Sequence, residues 1–110
     1  MSRTIFYLKR HDLLPTLRVT PKDGAGATVV IADGATVVFS MGPADSDDVK
    51  VNRATAVASG GNLIYTWATG DTDTAGTFWG EFEWSNSGKP ETFPNNAVDE
   101  LVIQITRDRA

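Results

Sequence analysis

The sequence predicts an all-β protein, a two-sheet antiparallel β-sandwich of about seven to nine short strands. Three observations carry this. β-Branched and aromatic runs of four to nine residues alternate with a period of two. Clusters of Gly, Pro, Asn, Asp and Ser separate them at short intervals. No stretch of eleven residues holds apolar positions at i, i+3, i+4 and i+7, and the gaps are too short for the helical crossovers of parallel sheets.

The elements follow in order. "TIFYLKR" (4–10) alternates Ile5, Tyr7 and Lys9 against Phe6 and Leu8. "LRVT" (17–20) is a short alternation. "ATVVIA" (27–32) and "ATVVFSM" (35–41) are β-branched strands with an Asp33-Gly34 turn between them. "GPADSDD" (42–48) reads as a loop, and "VKVNRATAVA" (49–58) as one or two strands. Ser59-Gly60-Gly61-Asn62 is a turn. "LIYTWAT" (63–69) and "GTFWGEFEW" (76–84) are the clearest strands, and the short arch between them predicts that they are neighbours. "SNSGK" (85–89) is a hairpin turn leading to "PETF", and Pro94-Asn95-Asn96 breaks the chain again. "DELVIQITR" (99–107) sets Leu101, Ile103 and Ile105 against Val102, Gln104 and Thr106.

The 110 residues suit one domain, 1–110, that buries roughly 60–70% of its unfolded surface. With no cysteine, disulfides, zinc–thiolate sites and thiol nucleophiles are excluded. No apolar run approaches the roughly 20 residues of a membrane-spanning helix, and the N-terminus lacks the pattern of a targeting segment. A soluble protein made without export is expected. Charge is uneven. Residues 1–22 carry Arg3, Lys9, Arg10, Arg18 and Lys22 against Asp12, whereas residues 23–106 hold three basic and twelve acidic side chains. The acidic body argues against nucleic-acid binding.

The stretch "GDTDTAG" (70–76) invites three readings. As a calcium loop starting at Asp71, its fifth and twelfth positions are Ala75 and Phe82, which supply no side-chain oxygen. As a catalytic centre, Asp71 and Asp73 lack a facing base, and His11, the single histidine, lies in another segment. As a corner between strands the residues fit. Gly70 ends a strand, Asp71 can accept from backbone N–H groups two residues on, Thr72, Asp73 and Thr74 offer further caps, and Gly76 permits an unusual backbone angle. The corner of an immunoglobulin-type sandwich often carries a tyrosine here. In this chain the residue is Phe78, so no hydroxyl is expected. No catalytic, cofactor or metal site is assigned.

The order Tyr65-x-Trp67-x-x-Gly70-Asp71-Thr72-Asp73-Thr74-Ala75-Gly76-x-Phe78, with Glu81-Phe82-Glu83, Gly88-Lys89 and Glu91-Thr92-Phe93-Pro94, resembles the N-terminal immunoglobulin-like domain family of tailed-phage baseplate upper proteins. "IFYLKRHD", Pro15, Asp23-Gly24 and "ATVVFSM" fit the same family, so the similarity runs from Ile5 to Pro94. It implies a non-enzymatic building block of a bacteriophage virion, assembled in the host cytoplasm, that mounts other structural proteins on a tail, baseplate or head–tail region in symmetric copies. Members often continue beyond this domain, whereas this sequence stops after its last strand. A free-standing adaptor, plug or capsid decoration subunit is therefore expected. A different class, a glycan-binding sandwich, is suggested by Tyr65, Trp67, Trp79 and Trp84, because aromatic platforms stack on sugars.

Candidate interface residues follow from face and charge. Phe78, Gly80, Phe82 and Trp84 share one face of their strand, and Thr77, Trp79, Glu81 and Glu83 the other. If Phe82 and Trp67 are core, Trp79 lies outside it. It is then an anchor for a partner, or is covered by the 42–48 segment of its own chain. The basic Arg3, Lys9 and Arg10 are candidates to meet Asp45, Asp47 and Asp48 of a neighbouring copy.

Overall fold

The computed structural model describes residues 2–21, 29, 31, 35–86, 88–94 and 99–107. Among these there is no helix. Eight strands form: β1 (Ser2–Lys9), β2 (Leu17–Val19), β3 (Val37–Pro43), β4 (Val51–Ser59), β5 (Asn62–Tyr65), β6 (Gly76–Asn86), β7 (Lys89–Phe93) and β8 (Asp99–Thr106). They follow the order β1-β8-β6-β3-β4-β5-β2, with β7 also paired to β6.

The path folds into two layers because β4 serves both. Its first half pairs with β3, Val37 opposite Ala56 and Met41 opposite Val51. Its second half pairs with β5, Val57 opposite Ile64 and Ser59 opposite Asn62. The register slips between Phe39 and Met41. There Arg53 takes a positive φ of 50° and its N–H is accepted by the Ser40 hydroxyl. Such a bulge bends and twists its strand; β4 resumes pairing with β3 through Ala56 and passes to the other layer from Val57.

Two expectations need correction, and a third lies mostly outside the described residues. The strands of 63–69 and 76–84 are not paired neighbours. β5 pairs with β4 and β2, and β6 with β3, β7 and β8. The arch between them crosses from one layer to the other instead of returning as a hairpin. The sheet is not wholly antiparallel, since β1 runs parallel to β8 from Ser2–Asp99 to Lys9–Thr106. The expected strand 27–32 lies mostly outside the described residues, as does its Asp33-Gly34 turn. Its described members, Val29 and Ile31, are in no strand.

The alternation itself holds. Phe78, Phe82, Trp84, Leu101, Ile103 and Ile105 are buried, as are Leu8, Leu17, Val19 and Leu63. Phe39 of β3 sits at the centre. Its ring stacks on Tyr65 with centroids 4.6 Å apart, meets Trp67 edge-on at 5.9 Å, and contacts Phe82 at 4.9 Å. Aromatic pairs of this kind contribute about 0.5–1.5 kcal/mol beyond area burial. They join β3 and β6 of one layer to β5 and the start of the arch in the other. The Trp67 indole N–H also donates to the Pro15 carbonyl, which fixes the β1–β2 connection.

Candidate functional site

The arch of 66–75 is a structural corner at one end of the sandwich. Gly70 has a φ of 96° and Gly76 of 148°, both in the region that side chains resist. The turn at Gly70 points the Asp71 carboxylate backwards along the chain. Asp71 Oδ2 accepts from the Ala68 N–H at 2.8 Å and the Tyr65 hydroxyl at 2.5 Å, while the Asp71 N–H donates to the Ala68 carbonyl. The carboxylate thus caps the residues before it, not those two positions on. The missing corner tyrosine is replaced by Tyr65, from the other side of the arch. Burial first, and then the adjacent Asp71 carboxylate, push the Tyr65 phenol up from its usual value.

Asp73 faces the loop after β3. Lys50 forms an ion pair with it, and Thr74 Oγ1 donates to the same oxygen. The Lys50 ammonium, followed by the Thr74 hydroxyl, holds the Asp73 carboxyl below its usual range. Thr72, between the two aspartates, is the buried polar side chain of the arch. Its hydroxyl donates to the Asp12 carbonyl at 2.9 Å, and its own carbonyl accepts the His11 N–H at 2.8 Å. The sequence offers Thr72 as a cap of the arch, but its burial is not legible there because nothing in a polar run distinguishes an inward hydroxyl from an outward one. Among the described residues no group of three or more His, Asp or Glu could hold a metal ion. The carboxylates of the arch serve as a hydrogen-bond partner within it, Asp71, and as an ion-pair partner of the β3–β4 loop, Asp73.

The second candidate site is the outer face of the larger layer. β1, β8 and β6 align Ile5, Val102 and Trp79 in one row, and Gly42 of β3 stands next to Trp79. Tyr7, Gln104 and Thr77 form the next row, in which Thr77 Oγ1 donates to Gln104 Oε1 and Gln104 Nε2 donates to the Gly76 carbonyl. Tyr7 is 63% exposed and Ile5 39%. Trp79 and Val102 are half-buried. A groove of about 350 Å³ runs here, lined by Trp79, Glu81, Val102, Glu100, Pro94 and Ala44 among others.

Trp79 is held from one side by its own chain. The indole N–H donates to the Ser46 carbonyl at 3.3 Å. The ring also lies on Gly42, where a Cβ would stand 2.7 and 2.9 Å from its atoms and 1.9 Å from the Asp48 carbonyl oxygen. Only glycine lets loop and ring approach so closely. The covering by residues 42–48 is therefore real but partial.

The charged candidates are dispersed. Asp45, Asp47 and Asp48 are exposed in the turn that covers Trp79, and Glu81 is exposed beside it. None of the four has an ion-pair partner among the described residues. Lys9 is exposed at the end of β1, and the Arg10 N–H donates to the Thr106 carbonyl. Arg3 lies in β1 opposite Glu100, but its side chain is outside the described part of the structure. Glu83 pairs with Arg53 of the bulge. Comparison with protein-family models, with curated proteins and with solved structures finds no match to this chain.

Proposed function

We propose that this chain is a non-enzymatic structural subunit of a tailed-bacteriophage virion, an adaptor of the tail, baseplate or head–tail region that acts through protein–protein contacts. The observation that carries the reading is the residue pattern of 65–94, which resembles a domain family of phage baseplate proteins. The partly exposed apolar row Ile5, Val102 and Trp79 supports it. The outer face of a sandwich layer is normally polar, and an aromatic ringed by polar groups is the kind of residue that dominates binding energy at interfaces. The partners on this reading are other virion proteins, including further copies of the chain, with neither nucleic acid nor membrane as ligand. Capsid decoration is the same reading with a different address.

The glycan-binding alternative loses support from the core. Tyr65, Trp67 and Trp84 are each about 3% exposed, so Trp79 alone remains of the four proposed platform residues. Mass spectrometry of purified particles tests the proposal, with immunogold labelling to locate the chain. Stoichiometric presence on tail or baseplate is expected. Labelling over the whole head would move it to decoration, and absence from particles would overturn it.

A further inference from the structure

The smaller layer has an outer row of its own. Val57 of β4, Ile64 of β5 and Arg18 of β2 are aligned by the ladder register, with Val57 and Ile64 opposite each other and Ile64 opposite Arg18. All three point away from the core, since Ala56, Ala58, Leu63, Tyr65, Leu17 and Val19 on either side of them are buried. Val57 is 51% exposed. Arg18 is exposed and has no ion-pair partner among the described residues.

The two outer faces therefore match. Each carries a row across three adjacent strands, about 10 Å long at the usual strand spacing and apolar except at Arg18. One row ends in the cation Arg18. The other ends in Trp79, beside the carboxylates of Asp45, Asp47, Asp48 and Glu81, which have no ion-pair partner among the described residues. We infer that the face Val57–Ile64–Arg18 of one copy docks on the face Ile5–Val102–Trp79 of the next, with Arg18 entering the acidic groove over the Trp79 ring.

Charge complementarity selects this occupant. A face meeting its own kind would leave Arg18 without a facing carboxylate, or the carboxylates without a facing cation, whereas the head-to-tail contact supplies each with its opposite charge. A guanidinium over an indole face is attracted by the ring as well as by the acids around it. The contact is head-to-tail, so it propagates. It closes into a ring if the rotation between copies permits and otherwise grows as a stack. This inference deepens the reading of the chain as a virion subunit and rests on it for its biological setting, naming a second copy as one partner of the Trp79 face.

The chain has no cysteine, so single introduced thiols report contacts cleanly. Ile64→Cys and Val102→Cys proteins, shown to be folded by circular dichroism, are mixed under mild oxidation. The heterodimeric disulfide is expected in clear excess over both homodimers. It is lost when the Ile64→Cys chain also carries Arg18→Glu. It returns when the Val102→Cys partner carries Asp47→Lys and Glu81→Lys. A statistical mixture of disulfides, or homodimers in excess, overturns the inference. So does sedimentation of the wild-type chain as a monomer at low salt up to its solubility limit. Detection of the chain in purified particles is read separately, so failure of the self-contact leaves the virion assignment to its own test.

Discussion

The Tyr65 hydroxyl donates to the Asp71 carboxylate across the β5–β6 arch. The same Tyr65 ring stacks on Phe39 in the core. One side chain therefore joins the packing between layers to the geometry of the corner. The stretch that invites reading as a metal loop or a catalytic pair is a corner held from both ends, by Tyr65 on one side and by Lys50 through Asp73 on the other.

Removing either partner of the first bond should cost about 1.5–3 kcal/mol, the range for a hydrogen bond to a charged group. Tyr65→Phe and Asp71→Ala test this by urea denaturation. The double variant should be less unstable than the sum of the two, because the residues are in contact. Added calcium or a chelator should leave the melting temperature of the wild type unchanged.

The pH dependence follows from the two shifted groups. The Tyr65 phenol is raised in the folded state, so its contribution is fully present below about pH 10 and is lost as pH rises further. Tyr65→Phe should flatten that alkaline decline in denaturation midpoints measured between neutral and strongly alkaline pH. Asp73 is lowered by Lys50 and Thr74, so its contribution is present above the ordinary carboxylate range and fades as pH falls through it. Asp73 is exposed, so salt should erase much of the acid limb.

Gly42→Ala should destabilise the isolated protein by about 1–3 kcal/mol, the usual range for overpacking. The added carbon cannot coexist with the Asp48 carbonyl oxygen 1.9 Å away. The loop of 44–48 would have to lift, uncovering Trp79. Trp67 and Trp84 are buried, so a red shift in tryptophan emission would report Trp79. An unchanged spectrum and midpoint would show that the loop does not hold the ring.

Trp67 and Trp84 are equally buried but differently bonded. The Trp67 N–H donates to the Pro15 carbonyl, whereas Trp84 Nε1 has no partner among the described residues. Trp67→Phe leaves an acceptor without its donor and should cost about 1–3 kcal/mol more than Trp84→Phe. Chemical denaturation of the two variants side by side measures the difference, and equal costs would contradict the assigned bond.

Period-two alternation made the inward faces of 76–84 and 99–106 legible, because burial on one side of a strand leaves no other pattern. Pairing partners were less accessible. An arch of ten residues can return as a hairpin or cross between layers, and the choice is made by tertiary contact of Tyr65 and Trp67 with Phe39. Direction was hidden too, since β1 and β8 would alternate identically in parallel or antiparallel pairing. The β4 bulge rests on Arg53 at positive φ, where no glycine marks it. On the candidate site, the outward placement of Trp79 follows from its neighbours in sequence. Its cover over Gly42 does not, nor does the row of Arg18, Ile64 and Val57, which needs the register of three strands.

Trp79→Ala separates the two roles of this ring. The indole is half-buried, with its N–H on Ser46 and one edge on Gly42. Full burial would make truncation cost about 3–5 kcal/mol, and a half-covered ring should cost less than that in the isolated chain. The variant should therefore fold. If the uncovered side anchors a partner, the folded variant should be depleted from purified particles to a much greater extent than its stability loss explains. Gly42→Ser supplies the control, because it disturbs the same loop while keeping the indole. Quantitative mass spectrometry of particles, with midpoints measured on the isolated proteins, gives both quantities. Incorporation of a folded Trp79→Ala chain at wild-type occupancy would remove the ring from the interface and leave it as the pin that holds the 44–48 turn.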